Sequence, residues 1–583
     1  MPSTDLQRLA VTDIDARRPA FWRGPAELSD DDALVVEPGG VLDLGTWFNA
    51  APVGWWRELL GPGHLRLRVR GRGTLTVWGA GGGRRHVVDS RLLDGTYETH
   101  LPRTEGTDWY WLELAAGPDG AMLESVEWAS GGGLGRSRGR AGKVTVVVPT
   151  YRREQDCLDQ VARLSAAGLA ETVGHVVVID QGGSLASAAG AGEVLDAAGD
   201  RVVLLEQGNL GGSGGYSRGM VESLRWPEDA VLLLDDDAEI EPEGLRRLHV
   251  LSTLVVDPTI LGTGLLSAEA PTSLEALAEG VRRRTFAWGP VDGLGDGVDV
   301  ADGGPDTWSF TAPRDRSEYT AWWGTLLPPG TVARLGLAVP YFLKWDDAEY
   351  GLRARAAGMA VATIPGPAVW HPTWAAKGTI SSWSSWPLHR NRLATAAAYG
   401  AGRGVLLDSL VHQVKHVLSL QYDAAELWNA AIAEAAGGPG WLSEDLTAVR
   451  PRAQALIDAA GRPPVPDVVA VPGPPLALVP ALRRALTGLR RAARVRGRRG
   501  AVALASPAEL TWRAALGRDV VLLGAGEGGA ALVRDPQRAR RLLREALHLH
   551  LRTARAWHGL RRDYAAALPE ASSRAAWDAR FDG

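Results

Sequence analysis

The chain has 583 residues, 45% hydrophobic and 22% charged, with a formal net charge of −5, the balance of an ordinary globular protein. That charge excludes a bulk electrostatic attraction to nucleic acid, and a single cysteine, Cys157, excludes an intrachain disulfide, as suits a reducing cytosol. The length is too great for one core and predicts roughly three or four domains.

The first residues carry no basic segment followed by an apolar one, so no signal peptide is expected. No stretch reaches the ~18–20 apolar residues that span a bilayer. From about residue 33 to 128, "HLRLRVRGRGTLTVWGAGGG", "RHVVDSRLL" and "WYWLELAAG" alternate apolar and polar between glycine breaks. This predicts an antiparallel β-sandwich or barrel. With the Gly/Arg-rich linker "SGGGLGRSRGRAG" it makes an N-terminal unit of residues 1–142.

The pattern then changes. "KVTVVVPT", "HVVVIDQGG", "RVVLLEQGN" and "AVLLLDDDA" are continuous apolar strands, which predict a mostly parallel sheet flanked by helices over 143–402. Ligands of such sheets sit at the carboxyl ends of the strands. The remainder, 403–583, is Ala/Leu/Arg-rich and reads as helical, broken by the Pro-rich run at 461–480.

Period-two geometry turns Asp235 and Asp237 to one face and Asp236 to the other. The pair can share a divalent cation, and Asp236 receives no catalytic role. "PTYRRE", "DQGG" and "GNLGGSGGYSRG" end neighbouring strands; in the last, glycines let backbone N–H groups approach an anion. In "FLKWDDAEYGLRARAAG" a helix is predicted with Asp346 at the N-cap and Glu349 three residues on. Asp347 is left as an ionised carboxylate able to accept a proton from a hydroxyl. His371, in "VWHPTW", offers the third donor that the Asp235–Asp237 pair lacks, and imidazole favours Mn2+ over Mg2+.

The succession PTYRR, DQG, NLGGSGGYSR, DDDA, WWG, KWDDAE, WH and HRNR resembles family-2 glycosyltransferases of the GT-A fold. The likeness extends to their galactofuranosyltransferase 2 group, the polymerases of cell-wall galactan, and includes "TWFNA" at 46–50. The resemblance implies inverting, metal-dependent transfer of galactofuranose from UDP-galactofuranose to a lipid-linked galactan. It implies Mn2+ or Mg2+ on Asp235, Asp237 and His371, and Asp347 as general base. Arg153, Asp180, Asn209, Asp235, Asp236 and Asp237 would form the donor-binding set, and Trp322, Trp323, Asp346 and His389 the acceptor side. Arg152 departs from the family, which usually has Asn there. A homo-oligomer such as a tetramer, peripheral on the inner face of the cell membrane, is also implied.

A basic amphipathic helix is expected at 481–499, with Leu482, Leu486, Leu489 and Ala493 on one stripe. It suits either an anionic membrane or a subunit contact. Rival readings are a family-2 enzyme using another UDP-sugar, a nucleotidyltransferase of similar sheet, and a dehydrogenase, whose Gly-rich loop should follow the first strand of the α/β unit rather than the third. A non-enzymatic sugar-binding scaffold would not need Asp235, Asp237, Asp347 and His371 together.

Overall fold

Glycine-punctuated alternation does build an antiparallel sheet, of eight strands, at the N-terminus. The computed structural model describes residues 4–130, 142–291, 297–310, 317–373, 383–460, 470, 472–490, 500–505, 509–524 and 530–581. Strands β1 (Gly63–Gly81) and β2 (Arg84–Arg103) form one long hairpin. The other edge of β1 pairs first with β4 (Ala121–Ser130) and then with β3 (Trp109–Ala115). At the changeover a Cβ on Gly71 would lie 2.3 Å from the Met122 carbonyl oxygen, and Gly73 has φ +143. Glycine is what allows one strand to serve both halves of the sheet.

The segment "TWFNA" fastens this sheet to the next unit. The Asn49 side chain donates to the Ala10 and Phe21 carbonyls, and Trp47 packs edge-on against Phe310. A Cβ on Gly264 would lie 2.7 Å from the Trp47 ring. Arg17 forks onto Glu239 at 2.7 and 2.8 Å while its guanidinium lies 3.8 Å from the Trp370 ring centroid.

The second sheet has ten strands. Its centre is β5 (Val144–Thr150), β6 (Val173–Asp180), β7 (Val202–Glu206), β8 (Ala230–Leu233), β9 (Thr259–Ser267), β10 (Thr325–Leu327) and β11 (Ala360–His371). The spatial order is β7-β6-β5-β8-β10-β9, with β11 beside β9. β5 to β8 are mutually parallel, but β10 runs against both neighbours. The sheet is therefore mixed: of these seven strands six point one way, as expected of a mostly parallel sheet, and β10 runs against them. Continuous apolar runs report burial on both faces, not direction.

Helices α1 (Glu154–Leu164) and α2 (Gly211–Ser223) follow strand ends, and α3 (Asp346–Ala356) precedes β11. α4 (Ser385–Ala398), α5 (Gly404–Leu418) and α6 (Tyr422–Ala436) lead into the tail. The tail is not wholly helical. Between α7 (Leu478–Gly488) and α8 (Pro536–Ala571) lies a three-stranded sheet of Ala501–Leu504, Val520–Leu523 and Ala530–Val533. α7 buries Ala481, Ala485 and Gly488, so its packed face is turned from the expected leucine stripe, and Leu486 stands 55% exposed. The linker at 131–141 and the positions 491–499, Ala493 among them, lie outside the described residues.

Candidate active site

Strand β8 ends at Leu233, and Asp235 to Ala238 form a turn closed by the Ala238 N–H on the Asp235 carbonyl. The turn, rather than strand alternation, sets the three carboxylates apart. Asp236 points back into the protein, where Thr150 Oγ1 donates to it at 2.8 Å. Burial first, and then the charge of Asp237, push its carboxyl up to about 7.

Asp235 and Asp237 face His371, the last residue of β11. His371 Nε2 lies 3.3 Å from Asp237 Oδ1 and 3.8 Å from Asp235 Oδ2, and the three donor atoms fall within 4.8 Å of one another. Two carboxylate oxygens and one imidazole nitrogen at that spacing fit a divalent cation with ligand distances near ~2.0–2.2 Å. Two further groups fix the carboxylates. Tyr216 donates to Asp235 Oδ1 at 2.5 Å, and Arg153 Nη1 stands 3.1 Å from Asp237 Oδ2.

Around this centre the strand-end loops hold themselves together. Asp180 accepts N–H groups from Gly182, Gly183 and Leu185 at 2.8 to 3.0 Å, which folds its own loop. Asn209 Oδ1 accepts the Gly211 N–H at the start of α2. Arg153 also pairs with Asp156 at 2.7 Å. The glycines of α2 serve packing more than anion approach. A Cβ on Gly215 would lie 2.5 Å from Pro149 Cβ, and one on Gly219 2.1 Å from Val147 Cγ1, so bare glycine lets α2 lie directly on β5.

Beside the cation centre opens a cavity of about 290 Å³. Asp235, His371, Trp322, Trp323, Asp346 and Asp347 all line it. Asp346 is the first residue of α3, not its N-cap. That position belongs to Trp345, whose φ is +73 and whose side chain caps nothing. Glu349 turns away to Arg353 and Tyr399. Burial raises the carboxyls of both Asp346 and Asp347; the charge of Asp347 raises Asp346 further, while the Ala348 N–H and Lys344 oppose the rise at Asp347. Both carboxyls are therefore held above the usual carboxylate range, and the two titrate as a pair.

The same cavity holds residues outside every motif, Glu279, Trp288 and Tyr319, and two residues of KWDDAE that were given no role, Lys344 and Trp345. Glu279 is buried, and burial together with the charge of Asp347 pushes it up to about 8, with Tyr319 hydrogen-bonded to it opposing. The surplus of tryptophan was the one signal of such walls. "LAEGVRRR", which carries Glu279, resembles no motif.

His389 does not reach the cavity. It is fully buried among helices, stacked on Trp428 at 3.7 Å, with Nε2 2.9 Å from Ser409 Oγ. Helix packing, not an acceptor, accounts for its position.

A mixed sheet with acids and a cation-fitting triad at its strand ends has the make-up of a nucleotide-sugar transferase. Residues 141–386 match the model described as "Glycosyltransferase like family 2", and residues 405–583 match "Galactofuranosyltransferase-2, domain 3". The chain is 29% identical over 588 residues to "Galactofuranosyltransferase GlfT2" of Mycolicibacterium smegmatis, covering 94% of this chain and 90% of that one. It is 28% identical over 601 residues to the protein of the same name from Mycobacterium tuberculosis, covering 94% and 91%. Among solved structures, that of GalNAc-T7 with UDP, GalNAc and Mn2+ is 12% identical, covers 46% of this chain and 49% of its own, and has a TM-score of 0.33. The protein is a glycosyltransferase. Within that class the chain is similar to the galactofuranosyltransferase 2 group of family 2.

Proposed function

We propose that this chain is an inverting, metal-dependent galactofuranosyltransferase that extends a lipid-linked galactan from UDP-galactofuranose. The observation that carries this reading is the division of one tryptophan-lined cavity between a cation-fitting triad and a separate buried aspartate pair. The names of the two relatives support the sugar.

Asp235, Asp237 and His371 would hold Mn2+ or Mg2+, which when bound neutralises the charge of a leaving diphosphate. Every other part falls to the chain. Asp347, in its ionised form, accepts the proton of the acceptor hydroxyl as that oxygen attacks the anomeric carbon. Base and leaving group then stand on opposite sides of the reacting carbon, which is the geometry of inversion. Trp322 and Trp323 offer apolar faces for a furanose ring, and Lys344 beside the aspartates holds down the pKa of the base. Asp180, Asn209 and Arg153 belong to the loops that would border the nucleotide.

The setting is part of the proposal. On α7 the apolar Leu478, Val479 and Leu486 stand exposed beside the exposed Arg483, which supports peripheral contact with an anionic membrane on its cytoplasmic side. Exposed Leu407 and Val411 on α5, and Leu547 and Leu551 on α8, support a homo-oligomer. The test is incubation with UDP-galactofuranose and then other UDP-sugars on a short galactofuranosyl acceptor. Product mass and linkage are read by mass spectrometry and NMR. Elongation with another UDP-sugar and none with UDP-galactofuranose would overturn the assignment.

A further inference from the structure

The motif HRNR lies on α4 and plays no part in the site described so far. Its asparagine, Asn391, is fully buried. The Asn391 amide nitrogen donates toward three carbonyl oxygens in succession, those of Tyr341 at 3.2 Å, Leu343 at 3.0 Å and Lys344 at 2.9 Å. Three carbonyls can be met only by the NH2 end of the amide, and the Oδ1 end accepts from Arg390 Nε at 3.2 Å, so the orientation is fixed.

The segment it holds is the one that delivers the aspartate pair. Phe342, Lys344 and Trp345 have φ of +71, +72 and +73, and none is glycine. L-residues avoid this region for steric reasons, and such strain persists only where the surroundings over-determine it. Here they do so from two sides. On one side the Ser213 N–H donates to the Phe342 carbonyl at 3.3 Å, and a Cβ on Gly211 would strike that same oxygen at 2.1 Å. On the other side stands Asn391, on a helix tied to α6 by Arg390, which pairs with Glu434 at 3.2 Å and lies 3.8 Å from the Trp441 ring centroid. Tyr341 OH and Thr395 Oγ1, 2.8 Å apart, add a further tie one turn along α4.

We infer that Asn391 is a positioning residue for transfer: its amide holds the left-handed loop 342–345 and so sets the direction in which Asp346 and Asp347 enter the cavity. Asn391 touches neither substrate nor reacting atoms. The inference rests on the reading of Asp347 as the base. It makes a distinction that a general packing role does not, because the candidate cation triad sits on the turn after β8 and at the end of β11 and takes nothing from Asn391.

The experiment uses full-length Asn391→Ala and Asn391→Ser, the second keeping one O–H donor. Turnover is measured alongside UDP affinity with Mn2+ by calorimetry and hydrogen exchange over 341–350. The expected result is a fall in kcat on the order of 10²-fold for Asn391→Ala, the cost of a misplaced reacting group, and a smaller fall for Asn391→Ser. UDP affinity stays unchanged, and protection is lost only in the loop. Parental kcat with the loop deprotected would overturn the positioning role and leave the base assignment to its own test, Asp347→Asn. Equal loss of UDP affinity and turnover, or failure of both variants to fold, would overturn it in favour of a fold-wide role.

Discussion

The Tyr216 hydroxyl lies 2.5 Å from Asp235 Oδ1 and 3.0 Å from the Trp322 carbonyl oxygen, so one phenol joins the cation centre to the tryptophan wall. Its ring, edge-on to Trp322 with centroids 4.9 Å apart, is fully buried. Partners of this kind orient the ligands they touch. Tyr216→Phe keeps the ring and removes the bond. It is expected to weaken Mn2+ binding roughly 10–100-fold while leaving the unfolding midpoint nearly in place. Manganese titration followed by electron paramagnetic resonance gives the answer, and unaltered affinity would refute the coupling.

Asp347→Asn removes the proton acceptor and keeps the shape. Turnover should fall about 10²–10⁴-fold, the usual worth of a general base, with UDP and metal affinity retained. Near-normal single-turnover rates would show that the proton leaves by another route.

Asp237→Ala acts on the other half. It takes away one of three cation donors and the partner of Arg153 Nη1. Calorimetry should find that UDP binding no longer responds to Mn2+, whereas the parent protein responds; a persisting response would place the cation elsewhere.

Glu279 gives a stability test with a definite sign. Its folded-state carboxyl is raised to about 8 by burial and by the charge of Asp347, against about 4.3 unfolded. Between those values the folded chain holds a proton that the unfolded chain has released, so stability falls as pH rises through that window. Below about 4.3 both states are protonated and the group is silent. Glu279→Gln should therefore flatten the decline of melting temperature from pH 5 to pH 8, with its advantage largest at the alkaline end. Parallel curves for variant and parent would show that Glu279 does not titrate there.

A fifth test concerns the glycine-rich helix. Gly219→Ala should help α2 by ~1 kcal/mol through helix propensity, yet the new methyl would meet Val147 Cγ1 at 2.1 Å. Overpacking costs about 1–3 kcal/mol and outweighs that gain. A lower urea midpoint is expected, and a raised one would mean that β5 yields easily.

Asp235, Asp237 and His371 were legible because residue type and strand-end position together restrict what such side chains can do. The reason given for their common face was wrong in detail, since a turn does what strand alternation was expected to do. Asp346 is the first helical residue rather than the N-cap, which the sequence hides because three departures into left-handed backbone within residues 342–345, none at glycine, leave no mark in composition. The direction of β10 was hidden for a related reason, a three-residue strand, Thr325–Leu327, being compatible with either sense. Glu279 carries no motif and becomes a site residue only when β strands far apart in the chain converge. The small sheet between α7 and α8 was lost in an Ala/Leu-rich text whose short apolar runs fit helix and strand alike.

Trp47 leans on Gly264 of β9, and Arg17 covers Trp370, the residue before His371. Among the described residues, the N-terminal unit lends none to the lining of the cavity, yet it forms one wall of the mould in which His371, a candidate cation ligand, is cast. A fragment begun at Lys143 would retain every residue named for catalysis and still expose the apolar back of β9 and β11 to water. The boundary that looks natural in the sequence is therefore a poor place to cut, and the smallest unit of activity is larger than the smallest unit of chemistry.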